Sequence, residues 1–226
     1  MILIIGAMQE EVHALTMLMS DVSAETLDDI AVYKGMLSGQ SVIVAQSGVG
    51  KVNAAYTATR LIGSFQPEMV LNIGSAGGLK IDQKQGDMVV ASMLQYHDLD
   101  IGPNTQTDPR FIFEVDAQLL EIAKNTLDAM KKRYHVGLIV SGDQFVTKES
   151  QAFTNIQEHF PEAICVEMEA TAIAHVCKRN NIPFIVLRGL SDVTHDPENE
   201  VNFEAYLPLA SKVSAELCQS FINNIK

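Results

Sequence analysis

Three acidic residues in this chain lie just past apolar, strand-like runs. Glu11 comes shortly after Met1-Ile2-Leu3-Ile4-Ile5-Gly6-Ala7, and Glu169 follows Ala163-Ile164-Cys165-Val166. Asp192 closes Phe184-Ile185-Val186-Leu187-Arg188-Gly189-Leu190-Ser191. In an α/β sheet the mouths of neighbouring strands open on one crevice, so acids placed there converge on a ligand. Burying several carboxylates is costly, and a chemical purpose accounts for keeping them there. Near a strand mouth, Glu11 would orient and deprotonate water. Glu169, in Val166-Glu167-Met168-Glu169-Ala170, would accept hydrogen bonds from two adjacent hydroxyls such as a ribose diol.

Other residues fit around these acids. Ser75, in Gly74-Ser75-Ala76-Gly77-Gly78, offers a donor and an acceptor where glycines let the backbone approach a ligand. Phe145, after Val140-Ser141-Gly142-Asp143-Gln144, could stack on a flat base whose edge the Val146 backbone reads. Arg188 is the one arginine near a strand mouth and could steady carboxylates and a water. Each feature also has a plainer reading. Glu11 and Glu169 stand where acids simply favour a helix start. Asp192 reads as an Asx turn, and the glycine-rich segment as a tight strand exit. Phe145 reads as core, Arg188 as half of a structural ion pair.

Several chemistries lose ground on spacing alone. Gly48-Val49-Gly50-Lys51 is followed by Val52, with Ala45 upstream, so it is no phosphate-binding P-loop. Asn53 stands where a dinucleotide fingerprint needs its third glycine. Ser75 lacks the glycine two positions before it that a nucleophile elbow requires. The six histidines have no metal-ligand spacing, and the three cysteines form no C-x-x-C pair. With 16 basic against 28 acidic residues the net charge is −12, which disfavours a nucleic-acid partner.

The elements that must position these residues follow from the apolar pattern. At 226 residues, 47% hydrophobic and 19% charged, the chain suits one α/β domain over 1–226 around a mixed sheet. Strands are predicted at 1–7, 30–37, 41–47, 68–74, 87–93, 136–141, 163–167 and 184–190. Helices are predicted at 9–19, 51–65, 116–132, 149–159, 169–180 and 204–224. The segment 20–47 reads as antiparallel about Ser38-Gly39-Gln40, while 95–115 and 194–202 read as loops. The first apolar run is short, lacks a basic leader and reads as a strand, and no stretch reaches the ~20 apolar residues of a membrane helix. A soluble, cytoplasmic protein with no membrane partner is expected.

Taken together, the quoted segments resemble the 5′-methylthioadenosine/S-adenosylhomocysteine nucleosidases, a branch of the purine-nucleoside-phosphorylase-like family. The segments are Gly6-Ala7-Met8-Gln9-Glu10-Glu11-Val12, Ser47-Gly48-Val49-Gly50-Lys51-Val52, Asn72-Ile73-Gly74-Ser75-Ala76-Gly77-Gly78 and Val140-Ser141-Gly142-Asp143. Val166 to Ala174, then Arg188 with Ser191-Asp192, complete an ordered set that spans most of the chain. The resemblance implies a homodimer without metal or organic cofactor that hydrolyses the bond between adenine N9 and ribose C1′. It implies that Glu11 activates water held by Arg188, and that Asp192, oriented by Ser75, protonates N7 with a raised pKa. Glu169 would bind the ribose hydroxyls, and Phe145 with the Val146 backbone would hold the adenine. Met8, Val49, Met168 and Phe203 would line the ribose and thioether, with Gly77, Glu167 and Ser191 completing the substrate-binding set.

The pattern departs from the family after Tyr96-His97-Asp98-Leu99-Asp100, where Ile101-Gly102-Pro103-Asn104-Thr105 replaces an aromatic stretch that reaches a neighbouring subunit's 5′-pocket. The preferred 5′-substituent stays open. So do a phosphate-dependent nucleoside phosphorylase, a nucleosidase acting on aminodeoxyfutalosine, and a non-catalytic nucleoside-binding module. Against the phosphorylase stands Met8-Gln9-Glu10-Glu11, whose carboxylate repels phosphate.

Overall fold

The computed structural model describes the backbone of residues 1–196 and 199–225, and the side chains of these except 199–202. One mixed sheet holds β1 Ile2–Gly6, β2 Ser20–Leu27, β3 Ile30–Leu37, β4 Gln40–Gln46, β5 Met69–Gly78, β6 Met88–Tyr96, β7 Ile112–Glu114, β8 Tyr134–Ser141, β9 Ala163–Glu167 and β10 Phe184–Val193. The helices around it are α1 Gln9–Thr16, α2 Lys51–Phe65, α3 Ala117–Met130, α4 Gln151–His159, α5 Ala170–Asn180 and α6 Asn199–Asn224.

Continuous Val, Ile and Leu runs become strands covered on both faces. Every residue of β1 and of β10 is buried, and both strands pair in parallel with β5. Helices form where burial recurs at helical spacing. In α3, Leu119, Ala123, Thr126 and Leu127 turn inward, and the Asp116 carboxylate caps the start by accepting from the amides of Gln118 and Leu119. In α6, Leu207, Ala210, Val213, Leu217 and Phe221 are buried along the face expected from their spacing.

The strand order is β10-β6-β8-β9-β5-β1-β4-β3-β2, with β7 on β6 and a further pairing of β10 with β5. That pairing closes β5, β10, β6, β8 and β9 into a ring, from which β1, β4, β3 and β2 extend as an open wing. The narrowest seam is β5 with β9, where Gly77 faces Val166 and Gly78 faces Cys165.

Four sequence expectations change. Gly74–Gly78 is the last half of β5, not a strand-exit turn, because it finds partners on both β9 and β10. The antiparallel segment contains an additional strand, β2, whose residues are almost all exposed and so lack an apolar signal. Its neighbouring hairpin turns at Ser38 and Gly39, both at positive φ (49° and 79°), as two-residue hairpins favour. Within 95–115, β7 pairs with Met93–Gln95, and short 3-10 turns cover 105–107 and 109–111. The loop expected at 194–202 ends early: α6 begins at Asn199, and residues 197 and 198 lie outside the described residues.

Candidate active site

A cavity of about 240 Å³ opens where the carboxyl ends of β1, β5, β9 and β10 meet. Glu11, Glu167, Glu169 and Asp192 all border it, as do Met8, Val49, Ser75, Gly77, Phe145, Val146, Met168, Ser191 and Phe203. Ala7, Ala76, Gln144 and Val166 border it too. These four were not singled out from the sequence: Ala7, Ala76 and Val166 are small or apolar residues beside a motif, and Gln144 is a neutral polar residue of a kind common on any loop.

Glu11 unites the helix-start reading with a place at the cavity. Its Oε2 accepts from the amides of Ala7 (2.8 Å) and Met8 (3.1 Å), which closes the entry to α1. Its Oε1 accepts from the Ser75 amide at 2.9 Å and the Ser75 hydroxyl at 3.2 Å. Both oxygens are thus fixed by β1, α1 and β5, and the residue is 2% exposed. Gly74, at φ 152°, makes room for this: a Cβ there would overlap Arg188 Nη1 and lie 2.7 Å from Glu11 Oε1.

Ser75 therefore serves Glu11, and its expected partner Asp192 is oriented by another group. The pairing of β10 with β5 slips between Leu190 and Asp192, so Ser191 and Asp192 stand opposite Gly77 alone. A bulge of this kind re-aims a side chain. Here it brings Asp192 Oδ2 to 3.0 Å from where a Gly77 Cβ would be, so a side chain at 77 would push the carboxylate by a few tenths of an ångström. The Ser191 hydroxyl donates to Asp192 Oδ1 at 2.8 Å. Asp192 is strand, not an Asx turn.

Glu167 takes the helix-start role that Glu169 was read to share. Its Oε2 accepts from the amides of Glu169 and Ala170, both at 2.8 Å, and so caps α5. The same oxygen meets Arg188 Nη2 at 2.5 Å, and Oε1 accepts from the Ser141 hydroxyl. Arg188 is 1% exposed and does not line the cavity; Nη2 also reaches Asn72 Oδ1, Nη1 reaches the carbonyls of Ile73 and Ser75, and Nε is buried without a hydrogen-bond partner among the described residues. The ion-pair reading describes it in this structure. Burial works against the guanidinium charge, and Glu167, Glu169 and Glu11 outweigh it, so its pKa is raised. Removing either member of such a pair strands a buried charge at a cost of about 3–5 kcal/mol.

With α5 capped by Glu167, the Glu169 side chain is released toward the cavity. Its Oε1 accepts from the Gly50 amide at 2.9 Å, and its Oε2 lies 3.8 Å from Arg188 Nη2. Burial first, and the neighbouring Glu167 carboxylate second, push its pKa up to about 8, against the pull of Arg188 and Gly50. Between its ordinary value of 4.5 and about 8, the folded chain holds a proton that the unfolded chain has released. This contribution to stability is complete below 4.5 and disappears as pH rises through about 8. Wild type is therefore expected to lose melting temperature between pH 7 and 9 faster than Glu169→Gln. Parallel melting curves for the two proteins would show that Glu169 is already ionised at neutral pH.

The remaining wall is apolar. Phe145 is 41% exposed rather than core, and its ring meets Phe203 edge-on at 5.4 Å between centroids. Val146, by contrast, is buried in a cluster with Leu138, Val140 and Ile156 that anchors the Phe145 loop to β8 and α4. Among the described residues, no group of three or more His, Cys, Asp or Glu side chains could hold a metal ion.

The model of the family described as the phosphorylase superfamily matches residues 1–223. The chain belongs to the phosphorylase superfamily. Within that superfamily it is similar to the 5′-methylthioadenosine/S-adenosylhomocysteine nucleosidase of Staphylococcus saprophyticus, with 40% identity over 233 residues covering all of both chains. The nucleosidase of the same name from Neisseria meningitidis, solved with methylthio-immucillin-A, superposes with a TM-score of 0.92 at 35% identity over 99% of each chain. The futalosine hydrolase of Helicobacter pylori, also alike, gives a TM-score of 0.89 at 32% identity over 99% of this chain and 97% of its own.

Proposed function

We propose that the chain is an N-glycosyl hydrolase that cleaves the N-ribosidic bond of 5′-methylthioadenosine and S-adenosylhomocysteine, releasing adenine and the thioribose. The observation that carries this reading is the meeting of Glu11, Glu169 and Asp192 around one cavity, in a chain 40% identical to a nucleosidase of that name. Breaking the bond builds positive charge on the sugar and negative charge on the purine. Glu11 activates the attacking water and its carboxylate stabilises the sugar cation; Asp192 hands a proton to N7 of the departing adenine. Glu169 holds the ribose 2′- and 3′-hydroxyls. Phe145 stacks on the base while the Val146 backbone pairs with its edge. Met8, Val49, Met168 and Phe203 give the ribose and its 5′-thioether an apolar wall, which strengthens every charge interaction inside.

Arg188 acts through the acids: by neutralising Glu167 it lets that carboxylate cap α5 and leaves Glu169 to the ligand. Water, an acid and a base suffice for this reaction, so it calls for no metal or organic cofactor. One domain over residues 1–226, working as a cytoplasmic homodimer, completes the reading; among the described residues no helix is long and apolar enough to cross a membrane.

The test is release of free adenine across a panel of 5′-substituted adenosines, with and without phosphate. Phosphate-independent release from 5′-methylthioadenosine supports the proposal. Absence of adenine from every substrate refutes it, and a phosphate-dependent rate yielding ribose-1-phosphate makes the enzyme a phosphorylase. The likeness to the futalosine hydrolase favours one second reading, an aminodeoxyfutalosine-type substrate with the same adenine and ribose handles. Side-by-side specificity constants separate the two.

A further inference from the structure

Outside the cavity wall, three charged residues tie together loops that the mechanism treats separately. The Lys51 ammonium contacts both oxygens of Asp98, at 2.6 and 2.5 Å, and lies 3.7 Å from Asp143 Oδ2. Asp98 Oδ2 also accepts from the Asp143 amide at 2.9 Å. Asp143 Oδ1 in turn accepts from the Lys51 amide at 2.8 Å. Burial alone would raise Asp98, but Lys51 and the Asp143 amide hold its pKa below the usual carboxylate range.

The Lys51 amide is one link of a two-link chain. Gly50 precedes α2 without any side-chain cap of its own. The first two amides at this helix start go to two different carboxylates: Gly50 to Glu169 and Lys51 to Asp143. Both carboxylates lie at the positive end of the α2 dipole, which favours them there. One residue later than Asp143 the chain enters Gln144-Phe145, on the cavity wall. Gly50 sits at φ 97°, and a Cβ on it would be 3.2 Å from Asp143 Oδ1, so the backbone and the carboxylate are closely fitted.

We infer that Asp143, locked by Lys51 and Asp98, is a positioning residue: it sets the Gly50–Lys51 peptide so that the Gly50 amide meets Glu169, and thereby fixes the ribose-side acid. The inference rests on reading Glu169 as the group that binds the diol. Small displacements matter in such a site, since about 1 Å of misplacement costs on the order of 100-fold in rate.

The experiment compares Asp143→Ala with Asp143→Asn, whose carbonyl still accepts from the Lys51 amide. Exchange of the Gly50 amide hydrogen, read by NMR, is expected to quicken about tenfold or more in Asp143→Ala and to stay within about threefold of wild type in Asp143→Asn. kcat/KM for 5′-methylthioadenosine should follow the same split, about tenfold lower for Ala and nearly restored by Asn. In a Glu169→Ala background the further loss from Asp143→Ala should shrink to less than about threefold, because the two act through one contact. Lys51→Met, which keeps every backbone donor, should move both readouts in the direction of Asp143→Ala. Equal Gly50 protection in the Ala and Asn variants overturns the inference, and so does an undiminished loss when Glu169 is absent. Failure of wild type to release adenine sinks the reading of the site instead, and the Gly50 exchange pattern still decides the positioning role.

Discussion

Asp192→Asn is expected to slow adenine release by about 10²–10⁴-fold while leaving ligand affinity within about threefold of wild type. The reason is that asparagine keeps the shape and loses the proton. Its carbonyl can accept from the Ser191 hydroxyl as Asp192 Oδ1 does, so the strand bulge that aims the side chain is undisturbed. The space beside Gly77 fits an amide as well as a carboxyl group, since the two are nearly equal in size. What is missing is a donor acidic enough to protonate a leaving purine. Binding of a non-hydrolysable adenosine analogue and single-turnover release of adenine separate the two effects. A rate within about threefold of wild type would remove Asp192 from the acid role.

Glu11→Gln should lose a similar factor in rate, about 10²–10⁴, and also some stability. Here the substitution is not neutral to the fold. Both Glu11 oxygens accept: Oε2 from the amides of Ala7 and Met8, Oε1 from the amide and hydroxyl of Ser75. A glutamine can accept on only one side, and its own NH2 must then face donors on the other. Leaving those donors unpaired costs about 1–3 kcal/mol. The melting temperature and the rate are therefore expected to fall together, and a milder protein, Ser75→Ala, calibrates the first effect because it keeps the carboxylate and removes one donor. If Glu11→Gln melts lower but turns over at the wild-type rate, Glu11 is an anchor for α1 and nothing more.

The elements that carry this site were legible wherever one chain segment contains its own signal. The runs through Ile2–Ile5 and Phe184–Leu190 are apolar because both faces are covered, and they are strands. The repeat from Leu207 to Phe221 is a helix face for the same reason. What could not be read locally depends on a distant partner. Exposed Ser20–Leu27 is a strand only because β3 lies beside it. Gly74–Gly78 looks like a turn by composition, yet β9 and β10 supply it with neighbours. The same holds within the site. The sequence places Glu167 and Glu169 two residues apart without saying which one caps α5, and Arg188 decides it by pairing with Glu167. The resemblance pairs Ser75 with Asp192, whereas in the fold its amide and hydroxyl both donate to Glu11. Lys51, Asp98 and Asp143 are far apart in the chain and unremarkable as residue types, so only their contacts single them out.

The closed ring of β5, β10, β6, β8 and β9 has an uneven counterpart in the wing that ends at β2. Each ring strand lies between two others, so lengthening one would force its neighbours out of register on both sides. The wing's last strand has a single neighbour and exposed side chains, and its connection to β3 passes through Asp28 at φ 56°. Peptide tags or reporter segments inserted at residues 28–29 should thus be tolerated: the register puts this turn at the cavity end of the sheet, but β3 and β4 stand between β2 and β1 and keep it away from the cavity wall.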